Sequence, residues 1–425
     1  MINHVFIAVM LCLTSLFLVH TKAFSQEMLR KITTDSFQRS TIVHNSASNG
    51  NKVAIEKQTL DFMKSPKFKK VVLPLVFHII SRSGETAPDI TQVQSQIDAL
   101  NRDFDKKSYK SKHVADSIEK FAAKVTDPEI QFCLALQDPS GKATTGINYI
   151  QSTSTAWGMS QDIKLGNKGG VSPWNPTQYI NVWVANLGST TSGYAQMPGG
   201  PTETDGIVID FQFFGMNGTT KAPYNQGKTL THLIGNYLNL YDIWGPCYCC
   251  DDEVSDTPIH NAPNYGKTDE FKHVSLCLGN GVELSMNFMD NTDDDWMYMF
   301  TTGQKSRMQS ILADNGYRSS LVNNNSACNK KSIELENRNA LITNVSIYPN
   351  PTSGDFTIAI QSSKMEINLG IEAIDPIGRI VKEEKIKVKE GIYKSIWKTN
   401  GWPAGIYTIK IVGKNYRSEQ KLVIF

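Results

Sequence analysis

THLIGNYLNLYDIWG, Thr231 to Gly245, is the stretch whose reading decides the fold. Leu230, Ile234, Leu238 and Tyr241 recur at helical spacing and predict a helix that opens near Gly227 with an apolar side. His232, Asn236 and Asn239 gather on another side of it. Residues four apart share a helix face, so the pattern H-E-x-x-H holds one metal between two imidazoles and sets a carboxylate beside a metal-bound water. The letters here are His232, Leu233 and Asn236. One imidazole remains, and an aliphatic side chain stands where the carboxylate belongs.

Working outward, VVLPLVFHII at Val71–Ile80 is a nearly continuous apolar run suited to a buried strand, with His78 read as a hydrogen-bonded core histidine. Val93, Ile97, Leu100 and Phe104 predict a helix over Ile90–Phe104. Strands are expected at Ile130–Leu136, Tyr179–Val184 and Gly206–Phe213, with a closing helix at Thr302–Leu312. Helix and strand alternate as in an α/β sheet. Cys247–Gly281 reads as a long irregular loop rich in Asp, Pro and Cys.

The ends carry other information. Val5–Val19 is apolar but shorter than the ~20 residues that span a bilayer, and Ala23 and Ser25 offer small residues for cleavage, so residues 1–25 read as a signal peptide. Residues 26–65 are polar, with a breaker-rich tract from Ser46 to Lys52, and read as a leader or propeptide. Residues 66–322 then form the main domain. Residues 323–340 form a polar linker, and residues 341–425 are β-like, with alternating runs at Phe356–Ile360, Leu369–Ile374, Ile406–Val412 and Lys421–Phe425 that indicate a small β-sandwich. No later segment is apolar enough to predict a transmembrane span.

The 425 residues carry 40% hydrophobic and 20% charged residues with a formal net charge of +2, which allows a proper core and leaves no nucleic-acid footprint. Lys110 and Lys112 belong to a solvated face. Outside the signal peptide, which contains Cys12, the cysteines are Cys133, Cys247, Cys249, Cys250, Cys277 and Cys328. The C-x-C-C cluster suits either a thiolate metal site or disulfides, and export favours disulfides. One of Cys247, Cys249 and Cys250 is expected to pair with Cys277.

With these residues in view, the central region resembles the pappalysin family of metzincin-like zinc metallopeptidases. The resemblance runs from about Val71 to Leu321 through YINVWVANL at Tyr179, GYAQMPGG at Gly193, TDGIVID at Thr204, GKTLTHLIGNYLNLYDIWG at Gly227, DDEVSDTP at Asp251 and MNFMDNTDDDWMYMFTTGQ at Met286. The tail resembles the C-terminal sorting domain of the type IX secretion system, through VSIYPNPTSGDFTI, DPIGRIV, PAGIYTIKI and QKLVIF. Together they imply a metzincin-like α/β (α+β) domain followed by a β-sandwich that engages the type IX secretion machinery, and a secreted or cell-surface location.

Carried over residue by residue, the resemblance implies zinc held by two helix histidines and a third beyond the turn, a Glu that polarises water, and a Met-turn followed by a Tyr. His232 and Met289 match. Leu233 stands for the Glu, Asn236 and Asp242 for two histidines, and Asn291 for the Tyr. The resemblance also implies a calcium site near Asp251, Asp252 and Asp256, whose closely spaced carboxylates suit that hard ion. The leading expectation is a secreted pseudopeptidase that binds a peptide or protein ligand without zinc, its rim at Gly193–Pro198 open to strand addition. The alternatives are an active zinc endopeptidase with a substituted metal site and a purely structural surface protein.

Overall fold

The run Val71–Ile80 becomes the central strand β1 (Val71–Ser81), buried along nearly its whole length. In this computed structural model the described residues are 29–35, 46–106, 124–154, 156–188, 190–268, 273–279, 281–323, 328, 342–362, 367–389, 391–413 and 416–425. The signal peptide, Lys110, Lys112 and most of the linker lie outside them. The chain divides into two units, Met1–Ala327 and Cys328–Phe425.

In the first unit, β1 pairs in parallel with β2 (Ile130–Leu134) and β3 (Ile147–Gln151) along one edge and with β4 (Ile180–Ala185) along the other. The order continues through β6 (Ile207–Asp210) to β5 (Gly193–Ala195), and β5 is the antiparallel member at the edge. Parallel strands need both faces covered, and the apolar runs supply that. The strand expected over Gly206–Phe213 stops at Asp210, because the Asp210 carboxylate accepts from Gln212 N–H and caps a 3₁₀ turn at Phe211–Phe213. The strand expected to Leu136 ends at Leu134.

Four longer helices frame this sheet. The tract read as breaker-rich is helical: α1 (Ser46–Lys64) packs on α4 (Thr302–Leu312), buries Ile55 in the main core and places Glu56 on the buried Arg307 with two hydrogen bonds of 2.8 Å. Its sequence lacks an apolar stripe of its own, and tertiary contacts hold it. Helix α2 (Ile90–Asp103) starts at Asp89, whose side chain accepts from Gln92 N–H. It packs against α3 (Lys228–Tyr237), the helix of the opening stretch. Helix α4 begins with a capping box between Thr301 and Gln304, and a short α5 (Ser319–Asn323) follows. No helix among the described residues is long and apolar enough to cross a membrane.

The second unit is a β-sandwich. Its strands are β7 (Ile342–Tyr348), β8 (Phe356–Ser362), β9 (Ile367–Ile374), β10 (Ile380–Val388), β11 (Gly391–Trp397), β12 (Gly405–Gly413) and β13 (Tyr416–Ile424). One sheet runs β10-β9-β12-β13 and the other β11-β8-β7. Phe356, Ile358 and Trp397 of one meet Ile371, Ile409 and Leu422 of the other in a single core.

Candidate metal centre

Helix α3 is buried on every side. Gly235 permits this at its crowded point, because a Cβ there would run into Met289 Sδ. The helix ends at Tyr237, earlier than the Tyr241 periodicity suggests, because Asn239 takes a left-handed conformation (φ 78°). Leu240 N–H then bonds back to Gly235 O at 2.9 Å, and the chain reverses so that Asp242 returns beside the helix. That turn brings His232, Asn236 and Asp242 together.

Their contacts with one another are direct. His232 Nε2 lies 2.8 Å from Asp242 Oδ1, and His232 Nδ1 lies 3.2 Å from the backbone oxygen of Asp290 in the turn after Met289. Both ring nitrogens therefore face oxygen atoms of the protein, and the carboxylate of Asp242 lies against Nε2, the atom that would face a metal. Asn236 Nδ2 donates to Asp242 Oδ1 (3.0 Å) and Leu240 O (3.1 Å), while its Oδ1 accepts from the Thr34 hydroxyl at 2.8 Å. All four side chains are buried. The group is closed by hydrogen bonds among its own members.

Leu233 is fully buried in the main core. It lies under β5, where a Cβ at Gly193 would come within 2.7 Å of Leu233 Cδ1. Met289 is buried and receives Ile243 N–H on its carbonyl at 3.0 Å. Asn291 is buried, with its Oδ1 left without a hydrogen-bond partner. A cavity of about 290 Å³ opens beside Asp242, lined by Ile32, Asp35, Trp244, Tyr248 and Pro263 among others.

The residues of the expected calcium site face different ways. Asp256 accepts from Thr301 Oγ1 and Gly303 N–H at the start of α4, and Asp251 from Glu253 N–H. Asp252 Oδ1 accepts from Val254 N–H and Thr257 Oγ1. Its buried Oδ2 has no partner, and burial pushes the carboxyl up to about 7. In the same loop Cys249 is bonded to Cys277 and Cys247 to Cys250; Cys133 and Cys328 are also disulfide-bonded.

A second histidine-carboxylate cluster lies nearby. His260 Nδ1 is 3.7 Å from Glu283 Oε2 and 3.6 Å from Asp290 Oδ2. Its Nε2 accepts from Leu284 N–H at 2.9 Å, so the ring's proton sits on Nδ1 and no lone pair remains. Among the described residues, no group of three or more His, Cys, Asp or Glu is arranged to hold a metal ion. Sequence reasoning missed Thr34, which bonds Asn236, and Arg30, which is fully buried and ion-paired with Asp294, because their polar surroundings in the sequence give no sign of burial.

An α/β sheet with an antiparallel edge strand above a helix, a left-handed turn and a buried Met beneath define the frame of a metallopeptidase of the metzincin kind. The chain belongs to the pappalysin (M43) family. The family model described as pregnancy-associated plasma protein-A matches residues 170–313, and that of the secretion system C-terminal sorting domain matches residues 346–425. Mature mirolysin of Tannerella forsythia, solved in complex with a cleaved peptide, is 33% identical with a TM-score of 0.56, the match covering 60% of this chain and 97% of that one. A promirolysin mutant from the same organism is 30% identical with a TM-score of 0.62, covering 70% and 98%. An extracellular metalloprotease of Arthroderma otae is 32% identical over 180 residues, 36% of this chain and 60% of the relative's length. The sorting domain and the extracellular relatives mark a secreted or cell-surface protein. Zinc is the metal expected of M43 metallopeptidases; the residues at this site do not fit it, because two of the three ligand positions hold an amide and a carboxylate that are bonded to each other, and that carboxylate lies against His232 Nε2.

Proposed function

We propose that this protein is a secreted pseudopeptidase: a pappalysin-fold protein that has lost hydrolysis and uses its cleft to hold a peptide or protein ligand. One observation carries the reading. His232 is held between Asp242 and the Asp290 carbonyl, so the surviving ligand position is engaged by protein oxygens of its own chain. A catalytic zinc ordinarily takes three protein ligands and a water. Here the two other positions are an amide and a carboxylate that already satisfy each other, and Leu233 cannot take a proton from water. Loss of general-base catalysis alone removes roughly 10²- to 10⁴-fold in rate.

An active endopeptidase with a substituted site is the competing reading, and metal content separates the two. Purified protein dialysed against trace zinc is expected to carry far less than one zinc per chain by elemental analysis. Stoichiometric, tightly held zinc would overturn the proposal. Calcium at Asp251, Asp252 and Asp256 is supported only by the unpartnered Asp252 Oδ2.

A further inference from the structure

The C-terminal sandwich carries a groove of about 600 Å³ on the outer face of its larger sheet, lined by Asn368 and Gly370 of β9, Lys385 and Lys387 of β10 and Val412 of β12, with backbone between them. Strand register makes it. Gly370 pairs with Lys385 on one side and with Val412 on the other, and Asn368 pairs with Lys387. Side chains alternate between the faces of a sheet, so with Leu369 and Ile386 in the sandwich core, their neighbours Asn368, Gly370, Lys385 and Lys387 stand on the outer face. The middle of the row lacks a side chain: a Cβ at Gly370 would meet only the Val412 carbonyl oxygen, at 3.9 Å. The result is a trough with a lysine wall, a valine wall and a floor of β9 backbone. β9 lies between β10 and β12, so its hydrogen bonds are already made and the floor offers no strand edge. A ligand there is held by the walls.

Charge selects the kind of ligand. Lys385 and Lys387 are both exposed, and among the described residues no carboxylate lines the groove. The next row along the sheet is acidic, with Glu383 paired to Glu372 and Lys410 answering Glu372 at 3.5 Å. An anion is drawn to the lysines and turned away at the glutamates, which limits where it lies. Spacing selects its form. Lys385 and Lys387 are two residues apart on one face of a strand, about 7 Å along it, and an extended peptide with carboxylates at alternate positions repeats at the same ~7 Å.

We propose that this trough is a docking site for an extended acidic segment of a partner protein, with alternate carboxylates on Lys385 and Lys387 and its backbone over Gly370. Neither the metal centre nor the cleft of the first unit enters the proposal.

The test uses the full chain, isotope-labelled and titrated at low salt with two synthetic isomers, one alternating glutamate with valine and one carrying the same residues in two blocks. The alternating isomer is expected to shift the Gly370 and Val412 amides and to bind about fivefold more tightly than the block isomer, the scale of one exposed charge pair. Reversing both lysines, Lys385→Glu with Lys387→Glu, should weaken it at least about tenfold. Gly370→Val separates shape from charge, because it fills the trough and leaves both lysines in place. Valine suits a strand and its Cβ meets open space, so the melting temperature should hold while binding falls at least about tenfold. Where the double reversal unfolds the sandwich, Gly370→Val decides. Isomers that bind alike, shifts that map away from the groove, or a Gly370→Val chain that binds as the wild type each overturn the proposal. Capture of the chain by anionic phospholipid vesicles through the same lysines, with no shift from either peptide, overturns it as well and makes the face a lipid contact.

Discussion

At position 233 the helix carries a leucine packed beneath Gly193 with no exposed surface. A glutamate there would be buried in the main apolar core beneath the rim. Leu233→Glu alone is therefore expected to destabilise the fold by several kcal/mol, as for a carboxylate taken from water without a partner, read as a lower denaturant midpoint. Restoring ligands has a different outcome. Asn236→His with Asp242→His removes the two groups that now satisfy each other and frees His232 Nε2, so the double variant is expected to bind zinc in a competitive chelator titration. Activity should also need Leu233→Glu and Asn291→Tyr. A double variant that folds and takes up no zinc would mean the backbone around residues 232, 236 and 242 no longer forms a metal cage. His78 gives a pH test. Burial pushes it down to about 4, and its hydrogen bonds suit the neutral ring, with Nε2 donating to Asn181 Oδ1 and Nδ1 accepting from Asn148 Nδ2. A histidine whose folded value is lowered adds stability that is complete above its unfolded value near 6.5 and is lost as pH falls toward 4. Asp252 and Asp290, both raised by burial to about 7, titrate in the opposite sense. The stability difference between wild type and His78→Gln cancels them, and it should shrink by about 3 kcal/mol between pH 7 and pH 4.

At the scale of the element, the long periodic segments were legible. The helix over Ile90–Phe104 and that over Thr302–Leu312 appear where spacing places them, because an apolar side or a strong cap dictates each. Helix α1 was not legible. Its Ser, Asn and Gly residues argue against a helix, and it is held by Ile55 in the core and by the Glu56–Arg307 pair. Glu56→Ala is expected to cost about 2 kcal/mol, less than the ~3–5 kcal/mol of a fully buried pair because Glu56 is partly exposed. Chemical denaturation of the full chain measures it. An unchanged midpoint would show that α1 is carried by its apolar contacts alone. The end of α3 lies between these cases: apolar spacing runs on to Tyr241, whereas Asn239 is a residue type that accepts the left-handed turn.

At the scale of the molecule, Met1–Ala327 and Cys328–Phe425 each have a core of their own. The sequence between Asn323 and Asn339 is polar and poor in apolar residues. Limited proteolysis of the full chain is therefore expected to cut there first and to release the β-sandwich intact. Early cuts inside either core would place the boundary elsewhere. The sequence by itself determined the class of fold, the sandwich at the end and the identity of the side chains at 232, 233, 236, 242 and 289, because apolar periodicity and short motifs are local and survive without coordinates. The tertiary structure alone decided that Asp242 satisfies His232, that Asn236 is completed by Thr34, and that Arg30 is buried against Asp294 across 264 positions of sequence. Those pairings depend on how the sheet edge and the turn after α3 approach each other in space, and a polar residue looks the same in a sequence whether it faces water or closes an internal hydrogen-bond network.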